Sequence, residues 1–350
     1  VPIFIPVLKL INPGEHGLSS AAIVGGVGDN GRGITGVNWD LELMLFSFTK
    51  ISDLVKSYDY VIDQREKFNN SNGTEGAFVV ATSNSFGQNR VFCESKPVWA
   101  AMFDELGAVG VLSSYGVGNV RYDADVAGDM PASCPSDYLL ISCNTDEDDN
   151  LFSSSAYGAV SVDLGAPGEG TVTARPNNTY GVFGGNSAAT PHVSGAIALL
   201  YAGDCAQLET DARQAPAATA LRIKDLLLQS AEQRPSLQNR TLTGGRLHVG
   251  DAMNLLTESC NNTLGELAIL RLGPNPTDDL LRINYQVPEN GTYELELFDA
   301  LGRRCQHQQV EVNTFGIRRL DWDVSRLVAG VYWLRFGDGG AGVWKQVVVI

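Results

Sequence analysis

Ser187 is the residue of this sequence whose setting is best suited to chemistry. It lies at the start of an apolar segment that predicts a helix, in the stretch FGGNSAATPHVSGAIALLY from Phe183 to Tyr201. A serine before a helix commonly caps it, because the hydroxyl accepts a hydrogen bond from a backbone N–H of the first turn. The same hydroxyl becomes a nucleophile when an imidazole removes its proton during attack. The stretch alone leaves both roles open.

A base for this nucleophile is not provided by the same helix. His192 follows Ser187 by five residues, and Pro191 between them is tolerated if it lies in the first turn. Positions five apart do not share a helix face, so we expect His192 to pack structurally. The serine is also not in the Gly-x-Ser-x-Gly turn of α/β-hydrolases, because Ala189 stands where the second glycine belongs. A base from elsewhere would have to be brought to Ser187 by the fold.

Over residues 16 to 262, short apolar runs of strand length alternate with helix-like segments. The runs are LELMLF, AFVVATS, AVGVLSSY, DYLLISC and AVSVDLGA, and the segments between them include SDLVKSYDYVIDQREKF and VWAAMFDELG. This alternation predicts parallel βαβ units, whose ligand sites lie at the carboxyl ends of the strands. Two later segments, ALRIKDLLLQSAEQ and HVGDAMNLLTES, have the apolar spacing of packing helices. The predicted fold class of this part is α/β.

The pattern changes after Asn262. Alternating strands such as TYELELFDA and GVYWLRFGDG follow, separated by the turn signals PNPTDD, ENGT and GDGG. They predict a small antiparallel β-sandwich. We therefore predict two domains, residues 1–262 and residues 263–350.

Composition and charge limit the partners. Of the 350 residues, 44% are hydrophobic, which is enough for a buried core. The net charge of −15 argues against nucleic acid, because that partner selects basic patches. No apolar run reaches the roughly 18–20 residues that span a bilayer. We predict neither a nucleic-acid partner nor a membrane span.

Four blocks of the sequence together resemble the subtilisin-like serine proteases. They are EHGLSSAAIVGGVGDNGRGITGVNWDLELM, CPSDYLLISCNTDEDDN, AYGAVSVDLGAPG and NNTYGVFGGNSAATPHVSG, in the family's order. The resemblance implies a mostly parallel sheet flanked by helices and a secreted endopeptidase that cleaves polypeptides. It also implies that His16 is the general base and Ser187 the nucleophile. Asn119, at the end of GVLSSYGVGN, would donate to the oxyanion together with the backbone N–H of Ser187.

The resemblance further implies a cleft for an extended substrate. The segment FVVATSNSFG is similar to a family strand whose backbone pairs with the substrate, and GVLSSYGVGN would face it. Asn84 is the alternative oxyanion donor, but its segment fits this strand better. The candidate substrate-binding residues are Ser85, Phe86, Gly87, Gly116 and Gly118.

The sequence departs from the family pattern in two places. The family's Gly-Thr-Ser reads Gly185-Asn186-Ser187. The family's catalytic aspartate precedes the histidine on the first strand, whereas residues 1 to 15 contain no aspartate and Glu15 is adjacent to His16. Without a carboxylate, the imidazole loses its tautomer control and the stabilisation of its charged form. We expect an N-terminal truncation that lacks a core strand; the alternative is a degenerate site on a surface or binding protein.

Cysteines and acidic residues give no metal site. The six cysteines lack metal-ligand spacing, and pairs Cys93–Cys134 and Cys205–Cys260 would each close a long loop, as expected of an exported protein. The acidic run from Asp146 lacks regular calcium-ligand spacing and is expected to be a solvated turn. No organic cofactor is implied. Members of the family often bind calcium, but no ligands are assigned here.

The C-terminal region resembles the type IX secretion sorting domain of Bacteroidetes. The matching stretches are LGPNPTDDLL, YELELFDALGRR, LVAGVYWLRF and KQVVVI, within residues 268 to 350. The resemblance implies recognition by the secretion machinery and export through the outer membrane, to the cell surface or beyond. The alternative is a sandwich that binds carbohydrate or protein.

Overall fold

The computed structural model describes residues 2–10, 15–261, 267–273, 275–312, 316–340 and 342–350. The chain divides into two units, Val1–Ala252 and Met253–Ile350. The domain boundary predicted after residue 262 lies outside the described residues.

The strands of the first unit form one large, mostly parallel sheet and two small ribbons. They are β1 (Ile3–Leu10), β2 (Glu42–Phe48), β3 (Phe78–Val79), β4 (Ala81–Asn84), β5 (Gln88–Asn89), β6 (Leu112–Gly116), β7 (Asp129–Met130), β8 (Leu139–Thr145), β9 (Leu164–Pro167), β10 (Thr171–Arg175), β11 (Thr179–Phe183), β12 (Glu232–Gln233) and β13 (Gly245–Arg246). The large sheet has the order β12-β13-β9-β8-β6-β4-β1-β2, and β3 also pairs with β1. Its long strands are parallel, so the predicted α/β class is confirmed.

The described residues contain eight α-helices, of which the last crosses the division between the two units. They are α1 (His16–Gly25), α2 (Ile51–Asn70), α3 (Pro97–Ala108), α4 (Ala124–Ala127), α5 (Asn186–Tyr201), α6 (Leu208–Gln214), α7 (Pro216–Gln229) and α8 (Val249–Asn261). The helix predicted up to Gln233 ends four residues earlier, at Gln229. The reason is that Glu232 and Gln233 pair with β13 at the edge of the sheet.

The first strand lies inside the sheet. β1 pairs in parallel with β2 along residues 4–10 and with β4 at Val7 and Leu8. Ile5 and Val7 are buried. We expected a core strand to be missing, but this apolar segment supplies a strand between β2 and β4. The backbone groups that β2 and β4 would otherwise leave unpaired are therefore satisfied.

Helix α5 runs through the centre of the first unit. It packs against β4, β6, β8 and α1. A helix that is buried on all sides must be apolar or small all round. The sequence of α5 meets this condition, and its residues are buried except Ser187, His192 and Leu199.

Arg65 ties α2 to three other segments from inside the core. Its guanidinium donates to the carbonyl oxygens of Val79, Gly110 (3.2 Å) and Ala212 (2.9 Å), and it lies over the Phe78 ring. Burial lowers the pKa of Arg65 to about 10, so the group remains charged at neutral pH. This cation is held by carbonyl oxygens and an aromatic face.

Arg65→Met is expected to lower the free energy of unfolding by about 3–5 kcal/mol, because three buried carbonyl groups lose their donor. The measurement is denaturant unfolding followed by circular dichroism. Lys56→Met, on the exposed face of the same helix, is the control and should change stability by no more than about 0.5 kcal/mol. A loss in Arg65→Met as small as in the control would contradict this role.

The second unit is an antiparallel sandwich, as predicted. Its strands are β14 (Ala268–Gly273), β15 (Leu280–Val287), β16 (Gly291–Asp299), β17 (Arg304–Val312), β18 (Gly316–Asp323), β19 (Gly330–Gly337) and β20 (Gly342–Val349). One sheet has the order β14-β15-β18 and the other β17-β16-β19-β20. Alternate residues of the strands, such as Leu295 and Leu297 of β16, point into a shared apolar core.

Candidate active site

A cavity of about 210 Å³ lies where β4 and β6 end, beside the first residues of α5. Parallel sheets commonly bind ligands at this end of their strands. Seven of the eight candidate residues line it, and His16 is the exception. The lining residues are Ser85, Phe86, Gly87, Asn89, Gly116, Val117, Gly118, Asn119, Asp129, Asn186, Ser187 and Thr190.

Ser187 is the second residue of α5 and does not cap it. The N-cap residue is Gly185, and no side chain of the helix start forms a cap hydrogen bond. Within the described residues the Ser187 hydroxyl makes no hydrogen bond. The hydroxyl is therefore available for chemistry at the cavity, next to a helix N-terminus that favours negative charge.

Gly185 has the backbone conformation that turns the chain into α5. Its φ of +71° is strained for any residue with a side chain, and an added Cβ would lie 2.6 Å from Asn119 Oδ1. Glycine is therefore required both by the turn and by the close approach of Asn119.

Asn119 is oriented by the residue before Ser187. Its Oδ1 accepts from the backbone N–H of Asn186 (2.7 Å) and from Asn186 Nδ2 (3.1 Å). A backbone N–H can only donate, so the atom facing it must be the oxygen of the Asn119 amide. The opposite atom, Nδ2, is left as an exposed donor at the cavity. An N–H donor at the cavity is what the oxyanion role expected of Asn119 would require.

Asn186 is a site residue that sequence reasoning missed. Its side chain is buried, donates to the Gly118 carbonyl oxygen (2.9 Å) as well as to Asn119, and accepts from Ser155 Oγ (3.2 Å). The signal in the sequence was the departure from the family's Gly-Thr-Ser, to which we assigned no role. The amide links the start of α5 to the end of the β6 segment.

Pro191 explains how Ser85 joins the site. It is the sixth residue of α5, in the second turn and not in the first as assumed from the sequence. Because proline has no N–H, the Ser187 carbonyl lacks its usual donor four residues on. Ser85 Oγ donates to that carbonyl oxygen instead (2.9 Å). The segment after β4 is thereby fixed beside the serine.

His16 begins α1 and lies near the segment that leads into α5. Its ring contacts the Phe183 ring edge-on, with centroids 5.2 Å apart. Phe183 ends β11, four residues before Ser187. Glu15, the neighbouring carboxylate, pairs with Arg175 (2.6 Å).

Two alternative residues have structural contacts. His192 Nδ1 donates to the Ala188 carbonyl oxygen (2.8 Å), and burial is the main cause that lowers its pKa. Asn84 is buried and bonds Thr82, the Ser114 carbonyl oxygen and Tyr58. We expected structural packing of His192, and its contact with Ala188 is of that kind. The Asn84 side chain is occupied by its hydrogen bonds to neighbouring strands.

Asp129 is the second residue that the sequence did not reveal. It belongs to β7, which pairs with β5 next to the cavity. Its Oδ2 accepts from the backbone N–H of Gly118 (2.9 Å) and from the Tyr122 hydroxyl. Burial raises the pKa of Asp129 to about 6. Neither spacing nor a motif marks this aspartate in the sequence.

Four of the cysteines form disulfides, and the acidic run is held by hydrogen bonds and ion pairs. Cys93 and Cys134 form the predicted disulfide, and Cys205 and Cys260 are also disulfide-bonded. Asp149 pairs with arginines, and Asp146 accepts backbone N–H groups of its own turn. In the described ranges, no three His, Cys, Asp or Glu side chains are grouped as metal ligands.

Two regions of the chain match models of protein families. Residues 12–250 match the model described as Subtilase family. Residues 272–350 match the model described as Secretion system C-terminal sorting domain. The first match covers more than half of the chain, and both agree with the resemblances noted in the sequence.

Curated proteins show similarity over the first unit. Subtilisin-like protease 1 of Plasmodium vivax is 24% identical over 267 residues, which cover 70% of this chain and 38% of that protein. Thermitase of Thermoactinomyces vulgaris is 41% identical over 76 residues, which cover 21% of this chain and 27% of that protein. The chain thus spans well under half the length of these relatives.

Solved structures show the same fold. The patellamide maturation protease PatA matches with a TM-score of 0.55 and 21% identity, over 73% of this chain and 97% of that one. The A-subunit of the AB5 toxin from E. coli matches with a TM-score of 0.55 and 20% identity, over 73% and 92%. At these identities the likeness establishes the fold alone.

Proposed function

The chain belongs to the subtilase family, and from this premise we propose that it is a serine endopeptidase that hydrolyses polypeptides through an acyl-enzyme on Ser187. The observation that carries the proposal is the Ser187 hydroxyl, which makes no hydrogen bond in the described residues and lines the same cavity as the oriented Asn119 amide. A nucleophile and an oxyanion donor at one cavity are two of the groups that acyl transfer requires; the third is a general base, the role proposed for His16.

In the proposed reaction, Ser187 Oγ attacks the carbonyl carbon of the scissile peptide while His16 removes the hydroxyl proton. The carbonyl electron pair moves onto oxygen, where Asn119 Nδ2 and the backbone N–H of Ser187 donate to it. When the intermediate collapses, the amine leaves with the proton from His16, and the acyl group stays on Ser187. Water, deprotonated by His16, then releases the acid and restores the serine. These steps call for no organic cofactor.

The proposed substrate lies extended between the segments that end β4 and β6. Ser85, Phe86 and Gly87 would pair with its backbone on one side, and Gly116 and Gly118 would face it on the other. The hydrogen bond from Ser85 to the Ser187 carbonyl supports this arrangement, because it fixes the first segment beside the nucleophile.

The sorting domain defines where the chain acts. It directs the chain through the type IX secretion system to the cell surface or to the outside of the cell. None of the described helices is long and apolar enough to cross a membrane. We propose that residues 272–350 are the part recognised by the secretion machinery.

A second candidate function is a surface or binding protein that has lost catalysis. The observation that favours it is β1, which lies between β4 and the edge strand β2 and, like all of residues 1 to 15, contains no aspartate. Such a protein would hold a polypeptide in the same cleft without cleaving it.

Incubation of the purified chain with unfolded casein separates the two candidates. The peptidase hypothesis predicts fragments that appear with time and are suppressed by a sulfonyl fluoride. Binding of casein without any fragments, by a chain whose circular dichroism shows a folded state, would overturn the peptidase hypothesis and support the binding protein.

Asn186→Ala is expected to lower kcat about tenfold while KM changes little, because Asn119 loses one of its two anchors but substrate contacts remain. Steady-state kinetics on a peptide substrate measure both constants. Asn70→Ala, at an exposed position of α2, should leave both constants unchanged. A rise in KM as large as the fall in kcat, or no change in either constant, would show that Asn186 does not position the oxyanion donor.

A further inference from the structure

Asp129 is the acidic side chain of the cavity that contains Ser187. Among the lining residues it is the charged one, and no Lys, Arg or His belongs to the lining. It is 1% exposed, so its charge is felt in a region of low dielectric. A buried carboxylate of this kind needs either hydrogen bonds or a cation to offset the loss of hydration.

Only one of the two oxygen atoms of the Asp129 carboxylate accepts hydrogen bonds from described residues. Oδ2 accepts from the Gly118 N–H and the Tyr122 hydroxyl, whereas Oδ1 has no hydrogen-bond partner in the described part of the chain. No described residue forms an ion pair with Asp129. The guanidinium of Arg90 lies over the Tyr122 ring, 5.2 Å from its centroid. The site thus has a negative charge at a fixed position, and Oδ1 can still accept hydrogen bonds.

The remaining walls suit a long side chain with an apolar stem. Gly87, Gly116 and Gly118 have no side chains, and Phe86 adds an apolar surface. Gly116 also packs closely on α5, where an added Cβ would lie 2.8 Å from the Asn186 carbonyl oxygen. A slot of about 210 Å³ that contains one unpaired carboxylate is complementary to a side chain of the lysine or arginine type.

We propose that Asp129 makes this cavity select a lysine or arginine side chain of the polypeptide substrate. This inference rests on the proposed function, because it assigns the residue that is held next to the peptide bond attacked by Ser187. The substrate cation would donate to Oδ1, and its charge would offset the hydration that the carboxylate loses by being buried. Asp129 would then be a specificity-determining residue, in addition to its bond to the Gly118 N–H.

A binding experiment tests this selectivity without requiring catalysis. The full chain with Ser187→Ala is titrated with benzamidine, a small aromatic cation, and with benzamide, its neutral isostere, by calorimetry at neutral pH. We expect benzamidine to bind at least about tenfold more tightly than benzamide. Equal affinities, or no binding of benzamidine, would overturn the proposal.

The matched variants locate the effect. Asp129→Asn retains an oxygen acceptor for Gly118 and Tyr122 and should remove the preference for benzamidine. Asp59→Asn removes the same charge from an exposed position of α2 and should keep the preference. An unchanged preference in a folded Asp129→Asn chain would overturn the proposal; if this variant does not fold, the comparison of benzamidine with benzamide in the parent chain still decides.

A peptide library separates this inference from the proposed function. With active chain, cleavage is expected after lysine or arginine, and Asp129→Asn should lower that preference about tenfold or more. Cleavage without a preference for a basic residue would overturn the inference and leave the peptidase proposal standing. Benzamidine selectivity without any cleavage would support the inference about the cavity and overturn the peptidase proposal.

Discussion

Ser187→Ala is expected to lower peptide hydrolysis by about 10⁴-fold or more, because the reaction loses the atom that forms the acyl-enzyme. The fold should be retained, since the Ser187 hydroxyl makes no hydrogen bond in the described residues and is not the cap of α5. Hydrolysis of a fluorogenic peptide measures the rate, and thermal unfolding measures the stability.

The control for this prediction is Ser52→Ala, an equally small change at an exposed position of α2. Its rate should equal that of the parent chain. Persistent hydrolysis by purified Ser187→Ala, at more than a small fraction of the parent rate, would refute Ser187 as the nucleophile.

Asn119→Asp is expected to lower kcat about 10²–10³-fold, because it exchanges the Nδ2 donor for an oxygen that repels the developing oxyanion. The substitution keeps the acceptor atom that receives the Asn186 N–H. A carboxylate is also favourable beside a helix N-terminus, so the melting temperature should change little. The measurement is steady-state kinetics together with thermal unfolding.

Asn119→Ala is the companion variant, because it removes both the donor and the acceptor. Its kcat should fall to a similar extent. Its melting temperature should also fall, because the Asn186 N–H is left without its hydrogen-bond acceptor. A parent-like kcat in Asn119→Asp would contradict the assignment of the oxyanion donor, whatever the result for alanine.

Most of the architecture could be predicted from periodicity. The helix and strand patterns of α2, α3, β6 and β8 are local properties of the sequence, and so is the change to short alternating strands after residue 262. Helix α5 was recognisable because a helix that is buried on every side needs small and apolar residues throughout. The position of β1 in the sheet could not be predicted, because the pairing partners of a strand are determined by tertiary contacts and not by a local sequence pattern.

The candidate site was predictable only in part for a similar reason. Motif resemblance indicated Ser187 and Asn119, which the fold brings to one cavity from positions 68 residues apart (187 − 119). It could not indicate Asn186 or Asp129, whose contributions depend on hydrogen bonds to Asn119 and Gly118 across the fold. A polar residue acquires such a role from its neighbours in space.

Covalent labelling with a fluorophosphonate is the most direct test of the account, because the reagent reacts with an activated serine and not with an ordinary one. The folded full chain is treated with the probe, digested, and the modified residue is located by mass spectrometry. The account predicts a single adduct on Ser187 that is absent after heat denaturation. A folded chain without an adduct on Ser187 would contradict the account and leave the non-catalytic binding protein as the remaining candidate.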